Sequence, residues 1–132
     1  MTEHILITAV DEAGVLHTSL QGSIGEDRLN VLEQDVETAK AMVLAYYQKH
    51  GAKLRSLIDL TGFDGTYVPK AIAILATYMK SNTQFVSQSA AFGGQDSTTL
   101  AANIIASIAG RDNLKFFKTR EEAEAWLSKD SS

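Results

Sequence analysis

The fold is decided by residues 54–74, LRSLIDLTGFDGTYVPKAIAI. This stretch begins with a short apolar strand pattern that ends at Asp59 and continues into a loop rich in Gly, Thr and Asp. Pro69 then stands where the first turn of a helix tolerates a residue without an N–H. In an α/β protein, such a strand-to-helix connection lies at the carboxyl end of the sheet, where ligands and partners usually bind. The sequence therefore places its main candidate site at this corner, residues 59–70.

The rest of the chain alternates between strand and helix patterns. Residues 5–10 and 15–20 favour two strands joined by a hairpin loop that contains Gly14. From Leu29 to Tyr46, apolar residues recur at steps of three and four, which predicts a helix that ends at Gly51. Further patterns predict strands at 54–60, 85–92 and 114–117, and helices at 69–80, at 98–109 and after Thr119. The predicted order is ββαβαβαβα, an α/β fold with a mixed, mostly parallel sheet and an antiparallel leading hairpin.

Length, charge and cysteine content exclude several classes of protein. A chain of 132 residues predicts a single domain over residues 1–132. The net charge of −4, with no basic run, argues against a nucleic-acid partner. Because there is no cysteine, disulfides and thiolate metal sites are excluded. No signal-peptide pattern opens the sequence, and its longest apolar run, residues 71–76, is too short for a membrane span. We expect a cytoplasmic protein.

The sequence contains no recognisable catalytic or metal-binding pattern. The three histidines, His4, His17 and His50, are far apart and show no spacing typical of metal ligands. No G-x-S-x-G sequence supports a serine nucleophile. We therefore expect a non-enzymatic protein without a metal ion or cofactor.

Two loops contain the candidate binding residues. At the corner, the candidate ligand or partner residues are Asp59, Thr61, Asp64, Thr66 and Tyr67. For Asp59 the alternative interpretation is that it accepts backbone N–H groups of its own loop, and Asp64-Gly65 is an ordinary turn pair. The second loop follows the strand at 85–92 and includes Gly93, Gly94 and Ser97, whose backbone N–H groups are candidates for binding an anion. This loop matches neither the dinucleotide-binding pattern nor the P-loop.

Three stretches of the chain resemble the SpoIIAA-like group of STAS domains, also described as STAS/SEC14-like. These are LIDLTGFDG (57–65), SIGEDRLNVL (23–32) and KFFKTREEAEAWL (115–127). Together with the predicted order of elements they cover nearly the whole chain. The resemblance implies a non-enzymatic fold that serves regulation, protein interaction or small-ligand binding.

The chain departs from the resembled family at the corner. In bacterial anti-sigma factor antagonists, a D-S-S-G or D-S-x-G signature follows the strand, and a kinase partner phosphorylates its serine. On that frame this chain has Tyr67-Val68-Pro69-Lys70. Thr66 is the nearest hydroxyl, and a phosphate there would be favoured by the helix N-terminus. We interpret Thr66 as a loop or capping residue, with phosphorylation as the alternative.

Two functional hypotheses from different classes remain. The first is a regulatory or protein-interaction module that contacts a partner, or a second copy of itself in a homo-oligomer, through residues 61–70 of the corner and the apolar helix 69–80. Its candidate interface residues are Ile72, Ile74, Leu75 and Tyr78. The second is a SEC14-like carrier of a small apolar ligand, which predicts a cavity lined by Ile72, Leu75, Phe85, Phe92 and Ile104.

Overall fold

The computed structural model describes residues 4–94 and 113–129. Its strands are Leu6–Val10 (β1), Val15–Leu20 (β2), Gly22–Ile24 (β3), Leu54–Asp59 (β4), Phe63–Tyr67 (β5), Val86–Phe92 (β6) and Leu114–Phe117 (β7). Its α-helices are Leu29–His50 (α1), Pro69–Ser81 (α2) and Arg120–Lys129 (α3), and a short 3₁₀ helix, Glu26–Arg28, precedes α1. The helix predicted at 98–109 lies outside the described residues.

Five strands form the main sheet, in the order β1-β2-β4-β6-β7. β1 pairs antiparallel with β2, whereas β2 with β4, β4 with β6, and β6 with β7 are parallel neighbours. This arrangement confirms the predicted mixed, mostly parallel α/β fold with an antiparallel leading hairpin.

The predicted order of elements is wrong at two places, because it lacks β3 and β5. These strands pair in parallel as a second, two-stranded sheet, in which Gly22 faces Phe63 and Ile24 faces Tyr67. The corner segment predicted as a loop is therefore partly a strand. Gly, Asp and Thr in such a short segment give a weak strand signal, and the pairing partner lies about forty residues earlier in the chain, beyond the reach of a local pattern.

The local start and stop signals act as predicted. Gly51 ends α1 in the left-handed conformation, with φ of 63°, and donates its N–H to the Tyr47 carbonyl at 2.8 Å. Pro69 is the first residue of α2. At α3, the Glu122 N–H donates to Thr119 Oγ1 at 3.2 Å, which is the predicted N-cap bond. The Thr119 hydroxyl donates to Glu122 Oε1 at 3.2 Å, so the Glu122 carboxylate bonds the side chain of Thr119 and not its backbone N–H as in the predicted capping box.

The hairpin between β1 and β2 is organised by one carboxylate. Asp11 Oδ1 accepts the N–H groups of Ala13 at 2.9 Å and Val15 at 3.0 Å, and Gly14 takes a φ of 81°. His17 Nε2 lies 2.8 Å from Asp11 Oδ2. Partial burial alone would raise the pKa of Asp11, but these hydrogen bonds together lower it below the ordinary value of 3.8.

Helices lie on both faces of the main sheet. α1 and α2 cover one face, on which their buried side chains pack against Leu6, Leu20 and Leu60. α3 covers the opposite face at β4, β6 and β7, where Ala123 and Leu127 pack against sheet residues. Consecutive residues of a strand point to opposite faces, so Leu57 belongs to the α3 side and its neighbour Ile58 to the α1–α2 side. On the α3 side of β1, Ile7 remains 43% exposed.

Among the helices within residues 4–94 and 113–129, none has the length and apolar character needed to cross a membrane.

Candidate functional site

Asp59 organises the first turn of the corner. It is the last residue of β4, and its Oδ1 accepts the Thr61 N–H at 2.9 Å and the Thr61 hydroxyl at 2.6 Å. This is the loop-stabilising alternative considered from the sequence. Both bonds use the same oxygen, and Oδ2 receives no hydrogen bond from the described residues.

The second half of the corner is held by Asp64 and by the small sheet. Asp64 Oδ1 accepts the Thr66 N–H at 2.8 Å, as in an ordinary Asx turn. Thr66 is exposed, whereas Tyr67 is half-buried against the α1–α2 core. Val68, the residue before α2, donates its N–H to the Ile24 carbonyl at 3.0 Å. The corner is thus a braced connection in which Thr66 is an exposed hydroxyl residue close to the start of α2.

The glycine loop after β6 lies against the same corner. The Leu60 N–H donates to the Phe92 carbonyl at 3.0 Å, and Gly93 and Gly94 take φ values of 76° and 82°. A Cβ on Gly93 would collide with the methyl group of Thr61. The structure therefore brings Thr61 and Gly93 together, while Ser97 lies outside the described residues. Anion binding by this loop stays a prediction.

The predicted interface residues of α2 divide between interior and surface. Leu75 and Tyr78 are only 8% and 7% exposed and pack into the α1–α2 core, which corrects their assignment to an accessible interface. Burial raises the pKa of the Tyr78 hydroxyl. Ile72 and Ile74 are half-buried. The apolar composition of this helix is explained mainly by its packing on the sheet and on α1.

A groove separates α1 from the exposed side of α2. Its volume is about 350 Å³. Its apolar part is contributed by Val36, Ala73 and Ile74. Charged residues border it, with Glu33, Glu37 and Lys40 on α1 and Lys70 on α2. The sequence could not show that these charges border a groove, because that requires the α1–α2 packing.

An apolar cavity near α2 differs from the one predicted for a lipid-like carrier. It has a volume of about 90 Å³ and is lined by residues that include Leu75, Met79 and Phe116. Of the five residues predicted to line such a cavity, Leu75 alone appears among its described lining, and Ile104 lies outside the described residues. This volume is below the roughly 300–1,000 Å³ of typical ligand pockets. The carrier hypothesis stays a prediction.

A second, polar cavity lies on the opposite face of the sheet, beside Asp59. Its volume is about 130 Å³. Apolar residues of its lining include Ile7, Leu57 and Phe92, and its charged residues include Asp59 and Arg120 from the first turn of α3. Asp59 was predicted as a site residue, but Arg120 was missed because only the packing of α3 brings it to the end of β4.

Each histidine has a partner within the fold. His4 Nδ1 lies 2.7 Å from Asp35 Oδ1, and the His50 ring lies 4.3 Å from that of Tyr46. Within residues 4–94 and 113–129, no cluster of three or more His, Asp or Glu side chains is arranged to hold a metal ion.

The family model described as SpoIIAA-like matches residues 15–128. The chain belongs to the SpoIIAA-like family. No curated protein is significantly similar to it in sequence.

Two solved structures are similar to this SpoIIAA-like chain over nearly its whole length. One is an uncharacterized protein with a SpoIIAA-like fold from Shewanella loihica PV-4, with a TM-score of 0.67 and 15% identity, covering 96% of this chain and 97% of that one. The other is an anti-sigma factor antagonist from Mycobacterium paratuberculosis, with a TM-score of 0.61 and 18% identity, covering 93% and 94%. At these identities the likenesses show a common fold.

Proposed function

We propose that this SpoIIAA-like protein is a non-enzymatic regulatory module that binds a protein partner in the groove between α1 and α2. The observation that carries the proposal is the groove itself, which is open to solvent and has an apolar part contributed by Val36, Ala73 and Ile74. The family and the fold shared with an anti-sigma factor antagonist support a regulatory role. A cytoplasmic location, expected from the sequence, belongs to the same proposal.

The shape of the groove suits an amphipathic helix. It lies between two helices and is larger than either of the two cavities beside the sheet. A partner helix would place its apolar stripe over Ala73 and Ile74, as in other helix-in-groove complexes. Burial of that stripe supplies most of the free energy of binding.

The charges along the groove specify the polar residues of the partner. On the α1 side, Glu33 and Glu37 are acidic, and Lys40 is 3.4 Å from Glu37 Oε2. On the α2 side, Lys70 follows Pro69 in the first turn of the helix. We therefore expect a partner helix with basic residues toward Glu33 and an acidic residue toward Lys70. Such exposed pairs steer association and select the partner more than they add affinity.

Site-specific photo-crosslinking in the host tests this proposal. A photoreactive amino acid at position 73 lies in the groove, and one at position 45 lies on an exposed part of α1 turned away from it. We expect one protein to be captured from position 73 and not from position 45. The complex is then reconstituted from purified components, so that its dissociation constant can be measured by calorimetry.

Two matched substitutions decide whether that complex uses the groove. Ala73→Glu and Ala45→Glu make the same change at exposed helical positions. We expect Ala73→Glu to weaken binding at least about tenfold, because it introduces a charge opposite an apolar stripe, and Ala45→Glu to leave it unchanged. Absence of capture at position 73, capture of a second copy of this chain alone, or equal effects of the two substitutions would contradict the proposal.

A further inference from the structure

The polar cavity is built on one row of residues that crosses four strands. In the register of the sheet, Ile7 pairs with Ser19, Ser19 with Asp59, and Asp59 with Phe92. A second row, one step inward on the same face, contains Ala9, His17 and Leu57. These rows lie where parallel β2, β4 and β6 reach their carboxyl ends, the usual place for a ligand in an open α/β sheet.

Opposite charges face this cavity without neutralising each other. Asp59 and Arg120 both line it, yet the two side chains form no ion pair within 4 Å. Asp59 Oδ2 receives no hydrogen bond from the described residues, and the same is true of the Ser19 hydroxyl. A negative acceptor and a hydroxyl, on paired residues of neighbouring strands, therefore both line the cavity.

Arg120 reaches the cavity beside Phe92, the residue that pairs with Asp59 in the sheet. Its guanidinium carbon lies 6.0 Å from the centre of the Phe92 ring, a distance at which a cation and an aromatic face attract each other. Its Nε donates to Glu124 Oε2 at 3.4 Å. The two Nη groups form no hydrogen bond with the described residues and have the fork geometry that binds a carboxylate.

We propose that this cavity binds a free α-amino acid with a small side chain, with its ammonium group at Asp59 and its carboxylate at Arg120. The Ser19 hydroxyl accepts a further hydrogen bond from the ammonium group. The side chain lies over the apolar part of the lining, formed by Ile7, Ala9 and Leu57. At about 130 Å³, the cavity suits a ligand of the size of alanine or serine.

This site is separate from the proposed protein-binding groove. The groove lies between α1 and α2 on one face of the sheet, and the cavity lies on the α3 face. The result of the ligand-binding test for the cavity is therefore independent of the result of the partner experiment for the groove. A ligand of so few atoms is expected to bind in the micromolar to millimolar range.

Titration of the purified chain with alanine, followed by two-dimensional amide NMR, tests the proposal. We expect saturable shifts at the amides of Ser19, Asp59 and Arg120, with no comparable change at Ala73 in the groove. Alanine methyl ester lacks the carboxylate, and N-acetylalanine lacks the ammonium group. Each should bind at least about tenfold more weakly than alanine, because each leaves one charged side chain without its partner. Equal binding of the three compounds, or no saturable shift, overturns the proposal.

Substitutions assign the two ends of the ligand. Arg120→Gln should weaken alanine binding at least about tenfold while leaving the weak binding of alanine methyl ester unchanged. Asp59→Asn retains an acceptor for Thr61 and should show the opposite pattern, weakening alanine but not N-acetylalanine. Lys118→Gln removes an exposed cation near the same helix and serves as the control for long-range charge. If Lys118→Gln and Arg120→Gln weaken alanine binding equally, the assignment of the carboxylate end is wrong.

Discussion

Asp35 is the polar residue that ties the first strand to the first helix. It is 6% exposed, and its Oδ2 accepts the N–H groups of Ile5 at 2.8 Å and Leu6 at 3.1 Å. The Gln21 N–H donates to the Ile5 carbonyl, and the Asp11 N–H donates to the Val15 carbonyl. The backbone N–H and C=O groups of the odd-numbered residues of β1 therefore point toward β2, and those of the even-numbered residues point away from it. The Leu6 N–H accordingly points to the open edge of the sheet, where Asp35 satisfies it.

Removing the Asp35 carboxylate should destabilise the protein much more than a substitution at an exposed residue does. Asp35→Ala leaves two buried N–H groups without an acceptor, and we expect the free energy of unfolding to fall by about 3 kcal/mol. Asp35→Asn keeps one oxygen and loses the charge, so its cost should be about 1 kcal/mol. Urea unfolding followed by circular dichroism measures both values.

The control for Asp35 lies on the same helix. Glu33 is exposed, and Glu33→Ala should change the free energy of unfolding by no more than about 0.5 kcal/mol. A cost for Asp35→Ala as small as that for Glu33→Ala would show that the edge of the sheet does not depend on this carboxylate.

At the scale of elements, the loop after β6 and the corner after β4 constrain each other. Gly93 has a φ of 76°, and the space beyond its Cα is filled by the methyl group of Thr61. Gly51, at the end of α1, has a similar φ of 63° but no atom within 4 Å of where a Cβ would lie. Comparing substitutions at Gly93 and Gly51 therefore distinguishes the cost of backbone strain from the cost of a steric collision.

We expect Gly93→Ala to cost about 3 kcal/mol and Gly51→Ala about 1 kcal/mol of unfolding free energy, because both substitutions strain the backbone and only the first adds a collision. Thr61→Ser removes the methyl group and keeps the hydroxyl bond to Asp59. In the Thr61→Ser background, the cost of Gly93→Ala should fall toward that of Gly51→Ala. The unfolding curves of the four proteins in this double-mutant cycle measure the coupling free energy between positions 61 and 93. If the costs of Gly93→Ala and Thr61→Ser are additive, the Thr61 methyl group does not collide with the new Cβ.

The sequence predicts those elements whose signals lie within a few residues. Helix ends are marked by Pro69, by Gly51 and by the Thr119 cap, through hydrogen bonds or dihedral angles that neighbouring residues complete. The β3–β5 pair was missed because its stability comes from a partner about forty residues away and not from its composition. The burial of Tyr78 was missed for a related reason, since an apolar helix has the same sequence whether its apolar side chains face a core or a partner.

At the scale of the whole molecule, the two faces of the sheet differ in how they are covered. α1 and α2 bury a continuous cluster that includes Leu32, Val36 and Leu75, whereas α3 is held by Ala123 and Leu127. The candidate sites follow this division, with the groove on the first face and the polar cavity on the second. Neither could be located from sequence alone, because the groove depends on the packing of α1 against α2 and the cavity depends on the register of distant strands and on the position of α3.

This asymmetry predicts that α3 can be released without unfolding the rest. Leu57 is 3% exposed and packs in the α3 cluster, so Leu57→Ala should cost about 3 kcal/mol. The only tryptophan of the chain, Trp126, lies in α3 and reports on it directly. We expect its fluorescence in Leu57→Ala to change at a lower urea concentration than the circular dichroism does. In the wild-type protein the two transitions should coincide.

The control substitution lies on the other face. Leu16 is 1% exposed and packs with Val43 and Leu54, so Leu16→Ala should lower both transitions together. Because Leu57 also lines the cavity, alanine binding by Leu57→Ala without urea is the reference. Release of α3, which carries Arg120, should abolish that remaining binding at urea concentrations where the circular dichroism is still native. Coincident transitions in Leu57→Ala would mean that α3 unfolds only with the whole sheet, and the amino-acid cavity would then be as stable as the fold itself.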